Sequence, residues 1–278
     1  MQNRGVATSD HLDDSDVYDA HPSVASGTAV LLLAGSSGRV ERERADLLAA
    51  GGVRVRAIRW FGGVGQRPAP HEVPIELFLA HLDELRAESD RLAIFGTSFG
   101  AEAALVTASR TRLDATIAVA PSSVVWAGYA DGRWSSHWTF TGLPLPAVAF
   151  DPSWSASTQP PEYVGLYTAS LERDPVLTAA ATIRVEDIAG ELLLVAGGDD
   201  RVWPSTRFAA DIVRRRADHG LPTSVVTHPA AGHRLLLPGE SAPVGGVRMA
   251  RGGSAAADAE LGAIAADEIA RLLDTCSP

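Results

Sequence analysis

Gly96-Thr97-Ser98-Phe99-Gly100 is a G-x-S-x-G pattern that sets one serine between two glycines. Ser98 could serve as a nucleophile, but a serine hydroxyl attacks a carbonyl only when a base takes its proton. A histidine suits that task near neutral pH, and a carboxylate holds its tautomer and stabilises the imidazolium. The glycines have a physical reason. A serine raised on a sharp turn between a strand and a helix needs small residues two before and two after it, because neighbouring backbone passes close there. The context fits: the apolar stretch Arg91–Phe95 precedes the motif, and the Ala-rich, helix-forming run Gly100–Arg110 follows it.

The expected chain order is serine, acid, histidine. Gly197-Gly198-Asp199-Asp200-Arg201-Val202-Trp203-Pro204 follows the apolar strand Glu191–Ala196, so the acid belongs there. Asp200, four before Pro204, is favoured, with Asp199 as its rival. Of eight histidines, His228 and His233 follow the last expected strand. Ala231-Gly232-His233 puts His233 on a loop, free to reach inward, and it is preferred to His228. The tetrahedral intermediate needs two backbone donors. They are expected from Phe99 N–H and from the turn Gly35-Ser36-Ser37-Gly38, with Ser36 favoured and Ser37 close behind. Glu102, four after Ser98, reads as a carboxylate favoured by the helix dipole or as a buried partner for Arg39 or Arg44.

These residues need elements to position them. Thr28–Ala34 is a near-continuous apolar run that suits a strand buried on both faces. A helix is expected from Glu41 to Ala50, then a strand over Val53–Ile58, whose Val/Arg alternation suits a place nearer the sheet edge. Pro74 opens a helix with Ile75, Phe78, Leu82 and Leu85 on one stripe. Strands at Ala115–Ala120 and Thr223–Thr227 and helices from Ser205 and from Ser254 to Leu273 continue the alternation. The pattern predicts an α/β fold, a mostly parallel sheet with helices on both faces, of α/β-hydrolase type. Residues 121–185 break the rhythm and read as an inserted lid. Four of the six tryptophans lie there. Trp126 and Trp138 are the candidates for a substrate-binding wall, unless such residues only pack the insertion onto the body.

The 278 residues, 46% hydrophobic and 21% charged, suit a single large domain over 28–278. Residues 1–27 are polar and acidic and read as a disordered N-terminal arm. The formal net charge is −10 and no basic run could track a phosphate backbone, which argues against nucleic acid. One cysteine, Cys276, allows no internal disulfide and reads as an exposed tail residue. No apolar stretch spans a membrane, no targeting core is seen, and a cytoplasmic location is the default. Metal motifs and nucleotide-binding glycine patterns are absent, and the chemistry needs no cofactor.

Taken together, several segments resemble the C-terminal catalytic domain shared by acyl-CoA thioesterases and bile acid-CoA:amino acid N-acyltransferase. They are Gly96–Glu102, Ala118-Val119-Ala120-Pro121-Ser122-Ser123-Val124-Val125-Trp126, Gly142-Leu143-Pro144-Leu145-Pro146 and Asp199–Ser205. The resemblance implies a Ser or Cys nucleophile with Asp and His, mapped onto Ser98, Asp200 and His233. A serine at 98 favours hydrolysis over transfer to an amine. Family members with thioesterase roles carry a β-sandwich before this domain, whereas a short acidic stretch stands here. Arg39, Arg42, Arg44 and Arg234 are the basic residues that could meet CoA phosphates. The expected activity is hydrolysis of a small-molecule thioester or carboxylic ester. The alternatives are a small-ester hydrolase, lactonase or peptidase unrelated to CoA, and a non-catalytic binding module that kept the fold.

Overall fold

Leu31, Leu32 and Leu33 have no polar atoms beyond the backbone, so they are stable only in a strand paired on both edges and covered on both faces. A computed structural model, which describes residues 12–242 and 247–274, shows that arrangement. The main sheet holds β1 (Val17–Ala20), β2 (Thr28–Leu33), β3 (Arg54–Ile58), β5 (Arg91–Thr97), β6 (Ala115–Val119), β11 (Glu191–Gly197) and β12 (Ser224–His228). Their order is β1-β3-β2-β5-β6-β11-β12. Every pairing is parallel except β1 with β3.

Helices cover both faces. One layer is α2 (Ile75–Arg86), α3 (Phe99–Ala108) and α6 (Ser205–Ala217), packed on Leu31, Leu33, Ile94 and Leu194. The other is α1 (Arg42–Ala50) and α7 (Ala255–Leu273), packed on Val30, Leu32, Phe95 and Val195. The chain winds outward from β2 to β3 and then in the opposite sense from β5 to β12. Adjacent β2 and β5 therefore form a topological switch point, where crevices open at the carboxyl ends of strands. This is the α/β-hydrolase arrangement expected from the sequence.

Between β6 and β11 the insertion forms the hairpin β7 (Ala127–Ala130) and β8 (Arg133–Ser136), then β9 (Trp138–Phe140) and β10 (Leu143–Pro144). Strands β9 and β10 complete a small sheet with β4 (Val73–Pro74). Helices α4 (Val164–Arg173) and α5 (Pro175–Ala180) follow. The insertion packs closely on the body: Trp126 and Trp138 are 0% exposed.

The arm expected through residue 27 is corrected. Residues 1–11 lie outside the described residues, as does Cys276, but Val17–Ala20 is a paired edge strand. The acidic residues have partners: Asp19 takes a two-point contact from Arg56, at 2.8 and 3.0 Å. Tyr18 donates to Asp46 at 2.7 Å, and buried Asp16 receives Gln66 Nε2 at 3.1 Å. The arginines of the Val/Arg alternation are thus ion-paired rather than bare: Arg54 pairs with Glu88, and Arg56 also pairs with Glu84. Among the described residues no helix is long and apolar enough to cross a membrane.

Candidate active site

Ser98 stands where β5 ends and α3 begins, with φ 58° and ψ −121°. A residue with a β-carbon holds such a conformation only where its surroundings over-determine it. The two glycines supply that fit. A β-carbon on Gly96 would lie 2.0 Å from the Gly100 carbonyl oxygen, and one on Gly100 would lie 2.5 Å from the carbonyl oxygens of Leu33 and Ala34. Ser98 N–H donates to Val119 O at 2.9 Å, and Ser98 O accepts the first bonds of α3 from Ala101 and Glu102.

His233 Nε2 lies 2.9 Å from Ser98 Oγ, and His233 Nδ1 lies 2.8 Å from Asp200 Oδ2. A carboxylate only accepts, so the Nδ1 side carries the proton and Nε2 is left to accept from the serine. Asp200 Oδ1 receives the backbone N–H of Val202 at 2.8 Å and of Trp203 at 3.3 Å, which fixes its plane. Ser98, Asp200 and His233 are 8%, 9% and 9% exposed, so the three interact largely out of water. The rivals point elsewhere. Asp199 accepts from Gly253 N–H at 2.8 Å and from Arg201 at 3.1 Å, and these contacts, in that order, hold its carboxyl below the ordinary range. His228 faces Glu260 at 3.0 Å.

The loops meet because their backbones touch. A β-carbon on Gly197 would lie 2.1 Å from Gly232 O, and one on Gly198 would lie 2.6 Å from Pro229 O. Asp258, in the first turn of α7, accepts Gly232 N–H at 2.8 Å and steadies the turn before His233. Burial is the first influence on Asp258 and leaves its carboxyl above the ordinary range. Gly35 packs beside the serine: its β-carbon would stand 2.9 Å from Ser98 Cβ. Ser36 is exposed on the turn that follows, and Phe99 N–H stands at the first position of α3, where no intrahelical acceptor exists.

Glu102 lies in the first turn of α3, as one expectation had it, but the arginine partner of the other expectation is corrected. It is 0% exposed and pairs with neither arginine. Its Oε1 accepts Trp138 Nε1–H at 2.7 Å and Trp126 N–H at 3.0 Å, while His137 Nδ1 lies 3.2 Å from Oε2. All three donors come from the insertion, so this carboxylate ties the insertion to the helix that carries Ser98. The signal was present: α3 is buried from Gly100 to Ala108, and a helix apolar all round buries its one charge as well. Arg44 is held by Glu240 at 2.5 and 2.8 Å and by Thr97 Oγ1 at 3.1 Å, a pairing across 196 residues that no local pattern announces.

Of the two readings of Trp126 and Trp138, a substrate wall or packing of the insertion onto the body, the structure has the second, and their place as substrate-binding candidates is corrected. Trp138 packs on Trp60 and Phe78, and Trp126 packs on Phe150 and Tyr167, with Trp126 Nε1–H donating to Ser122 Oγ at 2.9 Å. Trp203 packs against His233, and Phe99, the residue after Ser98, packs against Trp203. The Phe99 and Trp203 centroids are 5.5 Å apart, and Trp203 lies 5.7 Å from His233.

A family model described as BAAT / Acyl-CoA thioester hydrolase C terminal matches residues 77–251, more than half of the chain. Solved structures similar to the chain include an alpha-beta serine hydrolase homologue from Coxiella burnetii, at 16% identity over 78% of this chain and 82% of that one, TM-score 0.49. Another is a serine hydrolase without a lid from Xanthomonas campestris, at 17% identity over 78% of this chain and 79% of that one, TM-score 0.46. A third is the type II thioesterase BorB from the borrelidin biosynthetic cluster, at 18% identity over 96% of this chain and 100% of that one, TM-score 0.46. No curated protein matches the chain in sequence.

Proposed function

The chain belongs to the BAAT / acyl-CoA thioester hydrolase C-terminal family, and on that footing we propose that it is a serine hydrolase cleaving a thioester or carboxylic ester of a small molecule. The observation that carries the reading is the unbroken hydrogen-bond chain from Ser98 Oγ through His233 to Asp200, at 2.9 and 2.8 Å. His233 Nε2 takes the hydroxyl proton as Ser98 Oγ attacks the carbonyl carbon, and Asp200 stabilises the imidazolium. The oxyanion is received by Phe99 N–H and by Ser36 N–H. Collapse breaks the bond to the leaving group, which takes the proton from His233 and leaves an acyl-enzyme on Ser98. Water then repeats the sequence: His233 takes its proton, the acid is released, and the proton returns to Ser98.

One observation favours a simpler ester over a CoA thioester. Of the four arginines that could meet CoA phosphates, Arg44 is committed to Glu240, Arg39 to Glu41 at 2.9 Å, and Arg42 stacks on Tyr18. The test is labelling by a fluorophosphonate, then hydrolysis of acyl-CoAs against p-nitrophenyl esters of the same acyl groups. Wild type should be labelled and turn over; Ser98→Ala should do neither. Preference for the CoA series identifies a thioesterase, and ester turnover alone identifies the simpler hydrolase. An unlabelled, inactive but folded wild type rejects the enzyme reading in favour of a binding module.

A further inference from the structure

Two hydrogen-bond donors in the aromatic wall beside Ser98 have no acceptor among the described residues. Tyr167, on α4 of the insertion, is 7% exposed, and its hydroxyl makes no hydrogen bond among the described residues. Trp203 is 0% exposed, and its Nε1–H is buried without a partner. The two rings meet edge to face at 5.4 Å, and the same Trp203 ring touches Phe99 and His233. Tyr167 is therefore one ring away from both the base and the residue expected to hold the oxyanion. A buried donor without an acceptor costs about 1–3 kcal/mol, as at Trp203 Nε1; the Tyr167 hydroxyl is instead reached by solvent, so a bound molecule can supply its acceptor. Burial, and then the carboxylates of Glu102 and Asp200, push the Tyr167 hydroxyl up, so it stays a donor. The same carboxylates disfavour an anion there.

We infer that Tyr167 Oη–H, at the edge of the Trp203 ring, forms a substrate subsite next to Ser98 that recognises a neutral oxygen acceptor: a hydroxyl, ether or ketone. The inference rests on the serine-hydrolase reading and narrows its substrate class to esters that carry a second oxygen near the scissile carbonyl. That oxygen belongs either to the acyl group or to the leaving group, and the two sources are separable.

The experiment compares wild type with Tyr167→Phe, which keeps the ring and removes only the hydroxyl. An acyl arm pairs p-nitrophenyl butyrate with p-nitrophenyl 3-hydroxybutyrate, and a leaving-group arm pairs 4-methylphenyl with 4-methoxyphenyl butyrate. The readout is the ratio of kcat/KM within each pair. Intrinsic reactivity cancels when that ratio is compared between the two proteins. The preference for the oxygenated member should fall about 5- to 10-fold in one arm in Tyr167→Phe, as loss of one neutral hydrogen bond requires. The arm that moves identifies the source of the oxygen. Ratios unchanged within twofold in both arms, with thermal stability equal or raised, would overturn the subsite and leave Tyr167 a packing residue. Ser98→Ala runs in parallel. Wild-type turnover in that variant would reject the nucleophile, a failure distinct from an unmoved Tyr167 ratio.

Discussion

Glu102→Ala should be the most damaging single substitution near the site that touches none of the reacting groups. The carboxylate accepts three buried donors, Trp126 N–H, Trp138 Nε1–H and His137 Nδ1–H, at 3.0, 2.7 and 3.2 Å. Alanine orphans all three, and each unsatisfied buried donor costs about 1–3 kcal/mol. Partial relaxation and shared geometry make the sum less than additive, so a total of about 3–6 kcal/mol is expected. That is a large share of a typical stability of about 5–15 kcal/mol, and for a chain of this size it lowers Tm by about 8–20 °C. Glutamine keeps one acceptor oxygen in place for the two tryptophan donors and should recover more than half of the loss. Urea titration followed by tryptophan fluorescence reads both, since Trp126 and Trp138 report on the same contacts. Because Glu102 ties the insertion to α3, the near-ultraviolet circular dichroism signal should fall before the far-ultraviolet signal does. If Glu102→Ala unfolds within about 1 kcal/mol of wild type, the three bonds do not hold the insertion and the argument fails.

Other expectations concern the elbow, the acid and the insertion's outer tie. Gly100→Ala forces a β-carbon to 2.5 Å from two carbonyl oxygens of the β2 terminus, and the resulting shift of the turn should lower kcat about 100-fold or more; wild-type kcat in steady-state assays would count against the elbow reading. Asp200→Asn should lower kcat at least about 100-fold by presenting the wrong tautomer, whereas Asp199→Asn should change kcat less than about threefold; the reverse order would hand the acid's role to Asp199. Glu72 is held at about 2, first by its contact with Arg133 on β8. A carboxylate held below its unfolded value of 4.5 stabilises the fold fully above that pH and gives the contribution up as pH falls through about 2. Fluorescence of the neighbouring Trp134 should therefore change over that window in wild type. Arg133→Met should move the change to higher pH, and an unmoved profile would show that the ion pair does not hold the hairpin.

The parts of this molecule that were legible in its sequence are those in which a local pattern carries a local constraint. The apolar runs of β2, β5, β6 and β11 can only be strands between covered faces, and the pattern between them sets a parallel sheet. Gly96 and Gly100 mark the elbow because a side chain at either position collides with backbone only four residues away or one strand over. Asp200 and His233 were legible for the same reason: each follows a strand end across a turn of small residues. The insertion was legible as a break in the alternation over residues 121–185, but its internal order was not, because that order comes from contacts between distant segments. Trp126 and Trp138 resemble a binding wall by composition, yet each is consumed by a partner that the chain supplies elsewhere, Ser122 or Glu102. The acidic residues 16 and 19 likewise read as solvated until Gln66 and Arg56 fold back over them. Tyr167 is the converse case. It sits on an ordinary amphipathic helix with nothing in its spacing to single it out, and it becomes a candidate only because, where the neighbouring indole of Trp126 found an acceptor, its hydroxyl found none among the described residues. On the proposed reading, the strands and turns of this fold announce the reaction, and the specificity is sought in the polar atoms that the insertion leaves without partners.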